Sequence, residues 1–334
     1  MLPAGLPVAR HFDSVGLVLM SSGFGPDDTY ALFSQGGGAV GRRHDFDATH
    51  FSIYKNGYLA LDTGARFALP HSPNYRHQTV AHNCVLIHMP GERFPGSATG
   101  PVIANTAGQN RWPQEARVLA FETDRLYAYT ATDATPVYHA DKCGQMVRQF
   151  IYLPPDHFVV FDRVTAKRAE YAKTWLLHTA NEPAIADKEL RAEKDRGRIF
   201  SRTLYPLDAV LERIGGPGKE FWADGRNWAI VDRFQAPGGG DWWKHYGHGN
   251  TEPPEAMGRW RVEVKPGAAR TDDVFLHLIQ VSDRTVEKMV ASQVREQGNQ
   301  IGLGLTVGVR AYTIALNKTG AVGDTSRSRR AARP

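Results

Sequence analysis

Phe51-Ser52-Ile53-Tyr54-Lys55-Asn56-Gly57-Tyr58-Leu59-Ala60-Leu61 is the stretch whose reading decides the fold. Apolar positions recur every second residue on both sides of Lys55-Asn56-Gly57. An Asn-Gly pair between two such runs is the strongest short-range hairpin signal, because both residues accept the positive φ that a tight turn needs. The same rhythm runs outward in both directions: Val15 to Met20 and Tyr30 to Phe33 before the hairpin, Asn83 to Ile87, Leu126 to Thr132 and Val147 to Leu153 after it. Phe158 to Asp162, Thr174 to His178, Trp228 to Val231, Trp260 to Val264, Val274 to Val281 and Val307 to Leu316 complete the series. Many short strands at this spacing predict an all-β chain, a large antiparallel β-sandwich. Helical periodicity is weak throughout; its best candidate, Ala184 to Lys194, has no sustained apolar stripe. One sandwich over residues 1–320 is expected, followed by a basic, solvated tail over 321–334.

With 334 residues, 42% of them hydrophobic, the chain can bury a sizeable core. Its net charge of +5 favours anionic partners, and composition does not choose among nucleic acid, phospholipid and acidic polysaccharide. Part of that excess sits in Arg327, Arg329, Arg330 and Arg333 of the tail. Two cysteines, Cys84 and Cys143, are too few for a disulfide framework and read as small buried hydrophobes. No apolar run is long enough for a membrane-spanning helix. Met1 to Gly5 lacks the charged and apolar regions of a signal peptide.

The densest polar constellation is Gly41-Arg42-Arg43-His44-Asp45-Phe46-Asp47-Ala48-Thr49-His50, just after Gly36-Gly37-Gly38. So many charges at the entry to an apolar strand are costly to bury unless paired or bound to metal. In extended conformation Arg43, Asp45 and Asp47 would share one face. Asp62 follows at a strand end, and His82 stands where a later strand begins. Carboxylate and imidazole are ordinary zinc ligands. Scattered over three segments, they fit salt bridges and strand-end caps better than a metal on spacing alone. Two long loops, from about Met89 to Glu115 and from Gln235 to Met257, are long enough to suggest function or mobility. The second holds Trp242, Trp243, His245, Tyr246 and His248, a set suited to stacking on sugar rings or to packing a folded-back loop.

In order along the chain, Gly41 to Gly64, Tyr75-Arg76-His77-Gln78-Thr79-Val80-Ala81-His82-Asn83, Arg148 to Leu153, Phe158 to Val164 and Trp175 to His178 resemble the heparinase II/III family of polysaccharide lyases. The likeness covers nearly the whole chain and concerns that family's C-terminal β-sandwich only; the N-terminal α/α toroid has no counterpart here. The resemblance implies β-elimination on uronic-acid polysaccharides such as glycosaminoglycan or alginate, a periplasmic or secreted setting, and a toroid domain or subunit as partner. It implies no nucleic-acid or membrane partner.

Residue by residue, the resemblance makes Asp62 and His82 metal ligands. The family's His-x-His-x-Asp motif departs here. Anchored on Asp47 and Phe51, the ungapped register puts Asp45 at the third ligand position and Arg43 at the catalytic histidine; a one-residue slip would make His44 the ligand. Zinc is the expected ion, with manganese or calcium made less remote by the extra carboxylate. Arg43 cannot serve as a base but can pair with a substrate carboxylate. His44 is the residue of the motif suited to moving protons near neutrality. Arg42, Arg76, His77, Trp243 and Tyr246 are the expected substrate contacts. Three functions remain in view: a metal-containing lyase half, a non-catalytic carbohydrate-binding or structural module, and, least favoured, a metal-dependent hydrolase on a cupin-like sandwich. Trp175 and His178 read as core, and Asp156 and Asp162 as strand-end turns.

Overall fold

From His157 to Thr165 eight successive residues are buried before the first half-buried one. A strand with one wet face would alternate; a strand buried at every position must be covered on both sides. A computed structural model shows that arrangement. It describes residues 6–36, 45–65, 70–96, 100–111, 115–230 and 257–322. The central layer is an antiparallel eight-stranded sheet in the spatial order Ala184–Ala186, Glu189–Lys194, Gly197–Tyr205, Asp272–Asp283, His157–Ala166, Cys143–Leu153, Ala128–Asp133, Arg117–Thr123.

On one face the central sheet meets two others. One is the meander Ala9–Phe12, Leu17–Ser21, Tyr30–Ser34, Phe51–Tyr54, Tyr58–Ala60; the other has the order Val210–Gly215, Trp260–Lys265, Lys173–Thr179, Val85–Ile87. Phe150, Phe158 and Val160 of the centre pack there with Phe33, Phe51, Trp175 and Val262 in one apolar cluster. On the other face Ile151, Phe161 and Leu278 pack against Ile301, Leu303 and Ile314 of the sheet Ser292–Gln297, Gln300–Val307, Arg310–Asn317. The fold is therefore all-β, as the strand rhythm predicts. The helical pieces among the described residues are single turns: Asp13–Val15, Ser72–Arg76, Thr79–Ala81 and Thr135–Val137. None of them is long and apolar enough to cross a membrane.

The Lys55-Asn56-Gly57 turn forms as expected, with Asn56 at φ 53°, and Tyr54 pairs with Tyr58 across it. Other readings need correction. Ala184 to Lys194 is a hairpin of Ala184–Ala186 and Glu189–Lys194, turned at Asp187 with φ 52°. Val307 to Leu316 contains two strands, because Gly308 at φ 58° reverses the chain and leaves Val309 fully exposed at the tip. Trp228 to Ile230 is not a strand. Trp228 is buried, and its Nε1 donates to the Ala223 carbonyl. Asp162 is not a turn residue but lies buried in mid-strand opposite Arg148. Trp175 and His178 are core, and both cysteines are free and buried. Most of the expected tail over 321–334 and of the expected loop from Gln235 to Met257 lies outside the described residues.

Candidate functional site

After Ala60 the chain leaves the five-stranded sheet under restraint. Leu61 N donates to the His178 carbonyl and Thr63 N to the Ala81 carbonyl, each at 3.2 Å. Between these anchors the Asp62 side chain is about 40% exposed. Gly64 follows at φ 83°, where a Cβ would meet His71 Nε2 at 2.8 Å and Arg76 Cβ at 3.1 Å. Glycine thus lets the turn Ser72–Arg76 lie directly against this segment. That turn is π-helical, a rare geometry that recurs at functional sites. Its Tyr75 is buried with Phe221 and Trp228 in a third apolar cluster, and its last residue, Arg76, reaches the carboxylates.

Arg76 Nη1 lies 3.1 Å from Asp45 Oδ2, and Nη2 donates to Asp62 Oδ2 at 3.3 Å. The remaining carboxylate oxygens face histidines. His77 Nδ1 is 2.5 Å from Asp45 Oδ1, and His82 Nδ1 is 2.8 Å from Asp62 Oδ1. The result is a chain of five side chains, His77–Asp45–Arg76–Asp62–His82, in which each of the four carboxylate oxygens has its own partner. Burial alone would raise both carboxyl pKa values; Arg76 and the two histidines outweigh it and hold both far below the usual carboxylate range. Burial would likewise discourage the Arg76 charge, but Asp62 and Asp45 more than restore it. His82 is fully buried, yet Asp62 lifts its pKa above the ordinary histidine value.

Other histidines hold the frame as neutral rings. His50 Nδ1 accepts from Asn83 N at 2.9 Å, and its Nε2 lies 2.9 Å from Ser52 Oγ. Burial drives its pKa down to about 3. His71 Nε2 accepts from Ala65 N at 2.9 Å while Nδ1 donates to the Trp228 carbonyl at 2.5 Å, and burial lowers it to about 4. The His50 and His82 rings meet edge-on, 5.4 Å between centroids. Beneath them Asn83 donates to the Phe51 and Leu61 carbonyls and accepts from His178 N. Arg148 grips Asp162 with two contacts of 2.7 and 2.8 Å and also donates to the Thr49 and Asn83 carbonyls.

The structure therefore brings together Asp45, Asp62, His82, Arg76 and His77. Arg42, Arg43, His44, Trp243 and Tyr246 lie outside the described residues, so of the two register alternatives only Asp45 is placed. The extended shared face drawn for this motif is not formed from Asp45 onward. Residues 45–50 make a turn, with Phe46 N bound to the His77 carbonyl and His50 N to the Asp47 carbonyl. His50, His71, Asn83 and the Arg148–Asp162 pair were not singled out from sequence. The signal for the last was a charge set in an apolar run on either side of Pro154-Pro155.

The zinc implied by the resemblance fits these donors poorly. A divalent ion held by Asp45, Asp62 and His82 would need the carboxylate oxygens that Arg76 already holds. The His82 Nδ1 is turned onto Asp62 itself, which leaves the buried Nε2 as its one unpartnered ring nitrogen. Among the described residues no group of three or more His, Cys, Asp or Glu side chains is disposed to hold a metal ion.

Arg76 and Asp62 stand at one margin of a groove of about 1130 Å³ over the outer face of the five-stranded sheet. Phe12, Leu19, Tyr54 and Tyr58 line it, with Arg10 at hand. Leu19 and Tyr58 are 44% and 57% exposed, so this is a solvent-open apolar floor with charged groups at its margins.

Comparison with curated proteins finds no match. Among solved structures the chain is similar to the heparinase III BT4657 gene product, at TM-score 0.61 and 14% identity, over 95% of this chain and 43% of that one. It is equally similar to the heparan sulfate lyase HepC from Pedobacter heparinus, at TM-score 0.60 and 14% identity, again over 95% and 43%. The chain thus spans less than half the length of these neighbours, and the likeness at this identity is one of fold. The family model described as heparinase II/III-like, C-terminal, matches residues 4–319. From a match of that extent, the chain belongs to the heparinase II/III-like C-terminal family.

Proposed function

We propose that this chain is the β half of a polysaccharide lyase that acts by β-elimination on a uronate-containing anionic polymer, and that the polymer runs along the groove toward Arg76 and Asp62. The observation that carries the reading is the family match over nearly the whole chain. The open groove, with aromatic rings on its floor and charge at its margin, is consistent with it: sugar rings present apolar faces to aromatics and hydroxyl or carboxylate edges to charged groups.

Elimination needs a base for the proton at C5 of the uronate and an acid for the leaving oxygen, each contributing on the order of 10²–10⁴-fold when correctly placed. His50, His71 and His82 are poor candidates for either role. His50 and His71 have both ring nitrogens engaged in the fold, and His82 is buried against Asp62. The motif residue His44 is the better candidate on this chain for moving a proton, and Arg43 for pairing with the substrate carboxylate. A helical partner domain of the toroid kind would supply the rest. A non-catalytic carbohydrate-binding role is the second reading, favoured by the same shortage of free acid–base groups.

The test is ultraviolet detection of unsaturated uronate products over a panel of heparan-type, chondroitin-type and alginate polymers, run on these 334 residues alone and with a toroid domain supplied. Alone, the chain should retain an acidic polymer in a salt-sensitive manner and cleave it weakly; with the toroid, cleavage should rise by orders of magnitude. Binding without cleavage under both conditions favours the carbohydrate-binding module. Absence of binding to every polymer sinks both readings.

A further inference from the structure

We infer that the cation between Asp45 and Asp62 is the guanidinium of Arg76 itself, and that the site is built to work without a resident metal ion. Two carboxylates brought from separate segments, the turn before Phe51 and the end of the Asn-Gly hairpin, need a positive charge to stand side by side. Arg76 provides it from between them, at 3.1 Å from Asp45 Oδ2 and 3.3 Å from Asp62 Oδ2. The arrangement is built. Gly64, by lacking a Cβ, leaves the space through which the Arg76 stem passes, since a Cβ there would lie 3.1 and 3.2 Å from Arg76 Cβ and Cδ. The π-helical turn sets the position of Arg76. His77 and His82 take the outer oxygens.

A guanidinium is always charged and presents a planar fork of donors, so it bridges two carboxylates without exchangeable coordination positions. A divalent ion placed on the same oxygens would lie within a few ångströms of that fixed charge and be repelled by it. This inference does not depend on the lyase reading, since none of its measurements uses a polysaccharide.

The experiment is elemental analysis of the purified chain, with and without zinc in the growth medium. Alongside it, melting temperature is measured with added zinc and with EDTA, for the parent, Arg76→Lys and Arg76→Ala. The parent should carry well under one zinc per chain and melt at the same temperature in either additive. Arg76→Lys keeps the charge and should behave likewise, melting slightly lower because one ammonium cannot fork between two carboxylates. Arg76→Ala should melt lower and gain zinc affinity roughly 100-fold, with zinc restoring part of the lost melting temperature, because the repelling charge is gone and the carboxylates remain. Stoichiometric zinc in the parent, removed by EDTA with a fall in melting temperature, overturns the inference even if Arg76→Ala proves insoluble. So does tight zinc binding by Arg76→Lys.

Discussion

Replacing Arg148 by methionine should cost more stability than any other single change near the site. Arg148 and Asp162 are each fully buried, and the pair is bidentate at 2.7 and 2.8 Å. Methionine fills most of the volume but leaves a carboxylate in the core with no counter-charge, a loss of roughly 3–5 kcal/mol. The Thr49 and Asn83 carbonyls lose their donor as well, at about 1–3 kcal/mol each as an upper bound. These losses are not additive, and about 4–6 kcal/mol is the expected total, against a stability of roughly 5–15 kcal/mol for a whole domain. In urea, with an m-value near the upper end of about 1–3 kcal/mol/M, the midpoint should fall by roughly 1.5–2 M. Arg148→Met/Asp162→Leu removes both charges and should recover at least half of that loss. Hydrogen exchange gives a local readout: Arg148 holds the residues before His50 and after His82, so their amides should exchange faster in Arg148→Met. A midpoint shift worth under about 1 kcal/mol, or a double variant as unstable as the sum of the singles, would refute the reasoning.

Acid should unfold the chain early. His50 at about 3 and His71 at about 4 stay neutral in the folded state while their unfolded counterparts take a proton near pH 6.5. Their contribution is therefore full above pH 6.5 and is lost as pH falls below it, at up to about 1.4 kcal/mol per pH unit for each ring. His82 works in the opposite sense: its raised pKa makes its contribution full below pH 6.5 and lost as pH rises through the folded value. Urea midpoints at several pH values should therefore peak near neutrality, and a flat profile from pH 7 to pH 5 contradicts the neutral-ring assignments. Gly64→Ala should cost about 1–3 kcal/mol, from the positive φ and from the close contacts with His71 and Arg76. A melting temperature within a degree or so of the parent would show that the turn Ser72–Arg76 has room to move.

The fold was legible because its decisive signals are local. Alternation and an Asn-Gly turn need no distant partner to be read, and they place the hairpin at Tyr54 and Tyr58 where the structure has it. In two of the strands that escaped notice, the local signal conflicts with the element. Gly197–Tyr205 carries Arg198 and Arg202 on a buried strand, each neutralised by a glutamate of the neighbouring strand, Glu193 and Glu189. Ser292–Gln297 is polar because its outer side faces water. Conversely, Trp228 looks like the start of a strand, but it is buried by the hairpin Trp222–Asn227, which folds back against Ser72–Arg76.

The Arg148–Asp162 pair shows what could have been extracted. Both residues stand seven positions from Pro155, one on each side, and the hairpin around Pro154-Pro155 sets them directly opposite each other. A lone charge in an apolar run gains meaning once the turn fixes its cross-strand neighbour. The candidate site offers no such rule. Asp45, Asp62, Arg76 and His82 come from segments joined by loops rather than by one ladder, so their order along the chain names the participants but not the contacts. Asp62 and His82, named from sequence as ligands, both stand in this cluster, while Arg76, the charge that joins the carboxylates, was named only as a substrate contact. In an extended chain Arg76 is one basic residue among many. It becomes the centre of the cluster only because Gly64 lacks a side chain and Ser72–Arg76 winds one residue wider than an α-turn. Those two backbone facts, not the spacing of histidines and aspartates, decide which cation the carboxylates meet.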